Sequence, residues 1–276
     1  MKAPSFLRRR LVRLAALVGG LGLLGAVLVG PGAPDPVRAG GKTGTRQRAR
    51  KEAQMVDDLA NRNKPPKIVE RPRGSPSCLP LYPKDYDWRE EARVRRALDR
   101  LCSDTSDKLW EELVRRQGDP RYCIMQWQDV DENAEICSVG RACEDLAHDR
   151  LFGLIRPYLP SAPGKEPEYA CRIDDIEDLA AWRKARAGVP LYRLQIEVCH
   201  KALRALDRLV KEKLLSDKEK AEARKGLEAE VAKLRRTRRP VFTEISLTAN
   251  VYKPKVATRI RKVIESNSAE MINLAK

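Results

Sequence analysis

The chain is predicted to be mainly α, a disulfide-stabilised helical body with an antiparallel helical arm and a short C-terminal strand-helix extension. Three observations predict this class. Apolar residues recur at helical spacing through most of residues 87–234. All seven cysteines, all four tryptophans and six of the seven tyrosines fall between Cys78 and Cys199. Charge divides the 276 residues in the same way: residues 1–77 hold 16 Lys and Arg against 5 Asp and Glu, residues 78–199 hold 19 against 24, and residues 200–276 hold 20 against 10. The net charge of +16 therefore belongs to two basic flanks around an acidic body.

Residues 1–39 have the layout of an export signal: a charged start, an uncharged apolar run from Leu14 to Gly30, and "VRA" ending at Ala39. Arg8 and Arg9 within "RRRLVR" suggest the twin-arginine variant. An uncleaved membrane anchor is the alternative, because the run just reaches the lower limit of a membrane span; its glycines favour removal. The expected location is periplasmic or extracellular, where disulfides are permitted. Cys78, Cys102, Cys123, Cys137, Cys143, Cys171 and Cys199 are the candidates, with connectivity left open. Residues 40–77 read as a basic linker containing one short helical stretch around Glu52 to Ala60. Its "GGKTGT" is no phosphate loop, since Pro36 stands where that motif needs glycine and no strand precedes it.

In the body, residues 78–199, one helix opens at Asp87 with Glu90 at the reciprocal capping position, and Trp88, Ala92, Leu98 and Leu101 follow at helical spacing. A second, from about Ser106, aligns Leu109, Trp110, Leu113 and Val114 and stops before Gly118. A third runs from Ser138 to about Leu159 with Val139, Cys143, Ala147, Leu151 and Leu154 in one stripe. A fourth covers about Ile173 to Ala187. A long helix starts at Pro190, and "SDKE" at Ser216 opens the next with a capping box. That helix has a narrow apolar line, Leu227, Val231 and Leu234, so residues 200–239 are expected to form a basic, coiled-coil-like arm that protrudes. Residues 240–276 form the extension. "VFTEISLTANVY" alternates as a strand does, with "KIVE" at Lys67 to Glu70 or another chain as its expected partner. A basic helix from Val256 to Glu265 and a capped turn at Ser268 complete it.

Only two histidines are present, and each has an acid three residues before it: Asp145 with His148, and Glu197 with His200. In four-helix di-metal proteins such pairs meet carboxylates from two further helices. Glu111 or Glu112 and Glu177 or Asp178 stand in suitable order, and the cofactor of that reading is two iron or manganese ions. Against it, Glu197 and His200 share a helix face with Arg193, Arg204, Arg208 and Lys211, which marks a solvated stripe. Zinc held by Cys137, Cys143 and His148, or by Cys199 and His200, lacks the close Cys-x-x-Cys spacing of structural sites. No Gly-x-Ser-x-Gly elbow occurs.

The basic segment "KLRRTRRP" presents Arg235, Arg236, Arg238 and Arg239, a density able to draw an acidic partner or polymer. It lacks interleaved aromatics, which disfavours nucleic acid. The sequence reading is an exported, non-enzymatic helical envelope protein, without a cofactor, that binds a partner protein or an anionic surface of lipid or cell-wall polymer. Homo-oligomerisation through the C-terminal strand is part of that expectation. The alternative is the di-metal protein, as oxidoreductase or metal carrier.

Overall fold

Helices form where the apolar stripes lie. In the computed structural model, the described residues are 50–71, 78–128, 133–159, 178–243, 247 and 251–267. All of them belong to one unit spanning Lys42–Lys276. The export segment, Cys171, Glu177, the start of the fourth expected helix, most of the expected C-terminal strand and the Ser268 turn lie outside the described residues.

Helix α1 covers residues 50–57. There follow β1 (Lys67–Glu70), β2 (Cys78–Leu81), α2 (Trp88–Ser103), α3 (Asp107–Arg115), β3 (Tyr122–Gln128), β4 (Asn133–Ser138) and α4 (Val139–Phe152). Helix α4 runs straight into a 3-10 turn, Gly153–Tyr158, and α5 (Leu179–Lys184), α6 (Leu191–Lys211), α7 (Asp217–Thr237) and α8 (Pro254–Ser266) complete the order. Several starts have a local cause. The Ser138 hydroxyl accepts from Arg141 N at 3.0 Å to open α4, Ser216 and Glu219 form the full capping box of α7, and Pro254 occupies the first turn of α8. At α2 the Asp87 carboxylate accepts from Arg89 N and Glu90 N as expected. The reciprocal half of that box is not made. Asp87 N donates instead to Asn63 Oδ1 at 2.9 Å, while Glu90 accepts Arg62 N at 3.0 Å and pairs with Arg93 at 2.8 Å.

The main core joins the buried stripes of α2 (Val94, Leu98, Leu101), α3 (Leu109, Trp110, Leu113), α4 (Val139, Cys143, Leu146, Ala147, Leu151), α6 (Leu194, Val198, Leu206) and α7 (Leu227, Val231, Leu234). A second cluster gathers Leu79, Tyr82, Tyr86, Tyr122, Met125 and Tyr252 against Val256, Ile260 and Val263 of α8.

Several expectations need correction. The body is not helical throughout, because β3 and β4 form an antiparallel hairpin paired from Tyr122↔Ser138 to Gln128↔Asn133, with a register shift between Tyr122 and Ile124. Tyr122 to Met125 are all buried, so β3 shows no polar alternation to announce a strand. Among the described residues the segment "KIVE" pairs with Cys78–Leu81, while in the C-terminal stretch residues 241–243 are not strand and Val251 makes an isolated bridge to Gln126. The disulfide framework is also not found: all six described cysteines are free thiols. Cys143 and Cys199 sit on the inward stripes of α4 and α6, where a thiol packs as a small hydrophobe. Nor does α7 protrude. Its apolar line is part of the main core, and at Gly226 the ring of Tyr158 from the 3-10 turn occupies the space a Cβ would need.

Two predictions follow from this packing. Gly226→Ala is expected to lower stability by about 1–3 kcal/mol through overpacking on Tyr158, whereas in a Tyr158→Ala background the same exchange should stabilise by up to about 1 kcal/mol through helix propensity; urea denaturation of the four proteins reads the difference in sign. The second concerns Glu91 on α2, which is 1 % exposed. Its Oε2 accepts Tyr86 Oη at 2.6 Å and Asn61 Nδ2 at 2.8 Å, yet burial lifts its carboxyl above the ordinary glutamate range, outweighing those two donors and Arg95. A group that holds its proton more tightly folded than unfolded contributes stability below its unfolded pKa and loses that contribution as pH rises through the folded value. Stability should therefore fall as pH rises above the ordinary glutamate range, and Glu91→Gln should flatten that slope in denaturation midpoints measured from pH 4 to 8.

Candidate functional site

Two short segments, far apart in sequence, are held against the α2–α3 corner by polar clamps. The first is α1. Arg93 on α2 donates to Asp58 O and Ala60 O, each at 2.7 Å, and Asp57 takes Arg116 at 3.1 Å and Arg121 at 2.7 Å. The carbonyls at the end of α1 and its carboxylate are thus satisfied by groups of the body, which fixes Lys51, Glu52 and Met55 in place.

The second is the chain leaving α7. That helix ends with Arg238 in the left-handed region at φ 52°, which turns the backbone sharply toward α6. There the buried amide of Gln195 acts as a strand partner: Val241 N donates to its Oε1 at 2.9 Å and its Nε2 donates to Val241 O at 2.7 Å. The same Nε2 reaches Arg150 O at 2.7 Å. The guanidinium of Arg150, itself 1 % exposed, lies 5.0 Å from the Phe242 ring centroid and donates to Leu101 O and Asp104 O at the end of α2, where the helix dipole favours a cation. Burial lowers its pKa, against the pull of Asp104.

Between these segments and the start of α3 lies an open cavity of about 800 Å³. Lys51, Glu52 and Met55 form one wall, Arg238, Arg239, Pro240 and Phe242 another, and the turn from Asp104 to Lys108 the third. Its charges are mixed. None of Lys51, Lys108, Arg238 and Arg239 has an ion pair among the described residues. Among the acids, Asp104 Oδ1 accepts Ser106 N at 2.7 Å, and burial with Glu111 nearby raises the pKa of Asp107. Glu52 is 8 % exposed, and its Oε2 has no hydrogen-bond partner.

The sequence-derived site residues fall elsewhere, apart from Arg238 and Arg239. Asp145 pairs with Arg141 on its own helix at 3.2 Å, and burial pushes its carboxyl up to about 6 in spite of that arginine. His148 stacks on Phe152, with 4.5 Å between centroids. Glu197 is held at 2.6 Å by Arg186, and His200 Nε2 lies 3.2 Å from Arg235 of α7. The further carboxylates of the di-metal reading are engaged as well: Glu111 with Arg183, Glu112 with Arg115 and Arg116, and Asp178 as the cap of α5. Among the described residues no group of three or more His, Cys, Asp or Glu is placed to hold a metal ion. Arg236 is exposed on the last turn of α7.

Sequence reasoning missed Glu52, Lys51, Lys108 and Gln195. Only Gln195 left a signal, as an amide between Leu194 and Val198 on an otherwise apolar buried face. Its replacement by Leu should cost about 1–3 kcal/mol, because Val241 N and two carbonyls lose their partner; thermal denaturation measures this. The cysteines give a chemical check. Burial pushes the thiols of Cys137, Cys143 and Cys199 up to about 12 and that of Cys123 well above the usual range. Pulsed alkylation at pH 8 followed by peptide mapping should therefore label Cys78 and Cys102 ahead of these four, which should react only on unfolding. Compared with known proteins, the chain matches no family model, no curated protein and no solved structure.

Proposed function

We propose that this protein is an exported, non-enzymatic envelope protein that binds an acidic group of a partner protein, with Arg238 and Arg239 as the residues of the basic segment that meet it. The carrying observation is a group of four cations, none with an ion pair among the described residues, gathered on the walls of one cavity. Several arginines elsewhere do reach carboxylates, as Arg116, Arg121, Arg183 and Arg186 do. The four cations of the cavity stand on three separate segments, two of them held in place by the clamps of α1 and Gln195. Unpaired charge on concave walls focuses the field on whatever enters. Concavity also favours a discrete acidic group over a flat bilayer, since several walls can contact the same group. The basic start and apolar run of residues 1–39 support the exported location.

Binding of fluorescently labelled polyglutamate tests the reading. At low salt, Arg238→Gln with Arg239→Gln should weaken it about tenfold, roughly 1.4 kcal/mol, and Arg235→Gln with Arg236→Gln should weaken it less. Both effects should shrink as salt rises. Equal loss in the two double variants would remove the cavity from the reading, and tighter binding to anionic lipid vesicles than to polyglutamate would favour a membrane surface.

A further inference from the structure

The same cavity contains a charge that an acidic ligand leaves unanswered. We propose that its ligand carries an ammonium group as well as a carboxylate, so that the cavity is a site for an aminocarboxylate, with Glu52 taking the ammonium and Arg238 and Arg239 the carboxylate. This rests on the anion-binding reading above and adds the second charge to it.

The argument starts from the cost of Glu52. Glu52 is nine-tenths buried, and its Oε2, shut off from solvent, has no hydrogen-bond partner, so that side of the carboxylate loses its hydration without replacement. Its wall position leaves room for a partner to come from the ligand, because the residue lines the cavity together with Met55, which supplies apolar contact for an alkyl stem. An approaching carboxylate alone would be repelled by Glu52, Asp104 and Asp107 while being attracted by the arginines. An ammonium alone would meet Lys51, Lys108 and both arginines. A molecule with both charges matches the two signs at once and brings no net charge into the cavity. An ammonium also supplies three donors, enough to pair with the Glu52 carboxylate and a neighbouring acceptor.

Two sources present this chemistry: a free amino acid, or adjacent Lys and Glu side chains of a partner. The probes are 6-aminohexanoate, hexanoate and hexylamine, with the blocked dipeptide acetyl-Lys-Glu-amide as the second source, titrated calorimetrically into the full-length protein. The wild type should bind 6-aminohexanoate or the dipeptide at least about tenfold more tightly than hexanoate, as expected for a hydrogen bond between charged groups. Glu52→Gln, which keeps the side chain's shape, should bring the aminocarboxylate and hexanoate to within about twofold while leaving hexanoate binding in place. Arg239→Gln should weaken hexanoate and 6-aminohexanoate alike. Preference for the dipeptide assigns the chemistry to a partner chain, and preference for 6-aminohexanoate assigns it to a small molecule. Equal binding of hexanoate and both aminocarboxylates by the wild type, or a preference that persists in Glu52→Gln, overturns the ammonium assignment. Absence of hexanoate binding by the wild type overturns the anion reading beneath it. Circular dichroism of Glu52→Gln, expected to match the wild type, separates loss of the preference from loss of the fold.

Discussion

The buried carboxyl of Glu91 is the constraint on which most of the architecture depends. Burying a carboxyl is unfavourable unless polar groups converge on it, and here they arrive from four stretches of chain. Tyr86 comes from the loop before α2, and Asn61 from the loop after α1. Tyr122 of β3 adds its hydroxyl through Tyr86 at 2.9 Å. Arg95, one turn along α2, lies 3.8 Å from the other carboxyl oxygen and donates onward to the carbonyl of Tyr252, just before α8. Asn61 also gives its amide proton to Cys123 O at 2.9 Å, and its backbone N–H reaches Tyr122 O at 2.8 Å. One carboxyl thereby adds a polar link among α1, α2, the central hairpin and the C-terminal helix, whose apolar side chains meet in the two clusters.

The cavity inherits its shape from that coupling. Its α1 wall is only two helical turns long, too short to be stable alone, and is placed by the Arg93, Asp57 and Asn61 contacts. The facing wall has no secondary structure at all and depends on Gln195. Rigid placement of irregular segments by single side chains from helices is an economical way to make a concave polar surface, since the helices need only their usual apolar stripe plus one exception.

What could be read from the sequence was what depends on neighbours within one or two turns. The stripes of α3, α4, α6 and α7, the cap at Asp87 and the box at Ser216 are local, and the structure reproduces them; in α2 Leu98 and Leu101 are buried as expected, with Val94 and Ala97 in place of Trp88 and Ala92. The β3–β4 hairpin was not legible, because a strand buried on both faces loses the alternation that marks one. The candidate site was legible only in part. Arg238 and Arg239 stood out by density, but their significance depends on Glu52, 186 positions before Arg238 in the numbering, and nothing local signals that approach. The histidine pairs show the converse: spacing of three places an acid beside a histidine on one helix, but whether two helices turn those faces toward one another is decided by the apolar stripes. In α6 those stripes direct Glu197 outward to Arg186.

The left-handed end of α7 bears on how this protein could be hardened by design. Lys213 and Arg238 both hold positive φ, at 57° and 52°, a conformation that costs a side chain with a Cβ roughly 1 kcal/mol and glycine almost nothing. A stability screen would accept glycine at either position with similar gain. At 213, in the short connection between α6 and α7, that gain would be free of consequence for the cavity. At 238 it would remove a charge from the wall, so the two substitutions, alike in thermostability, would part company in function.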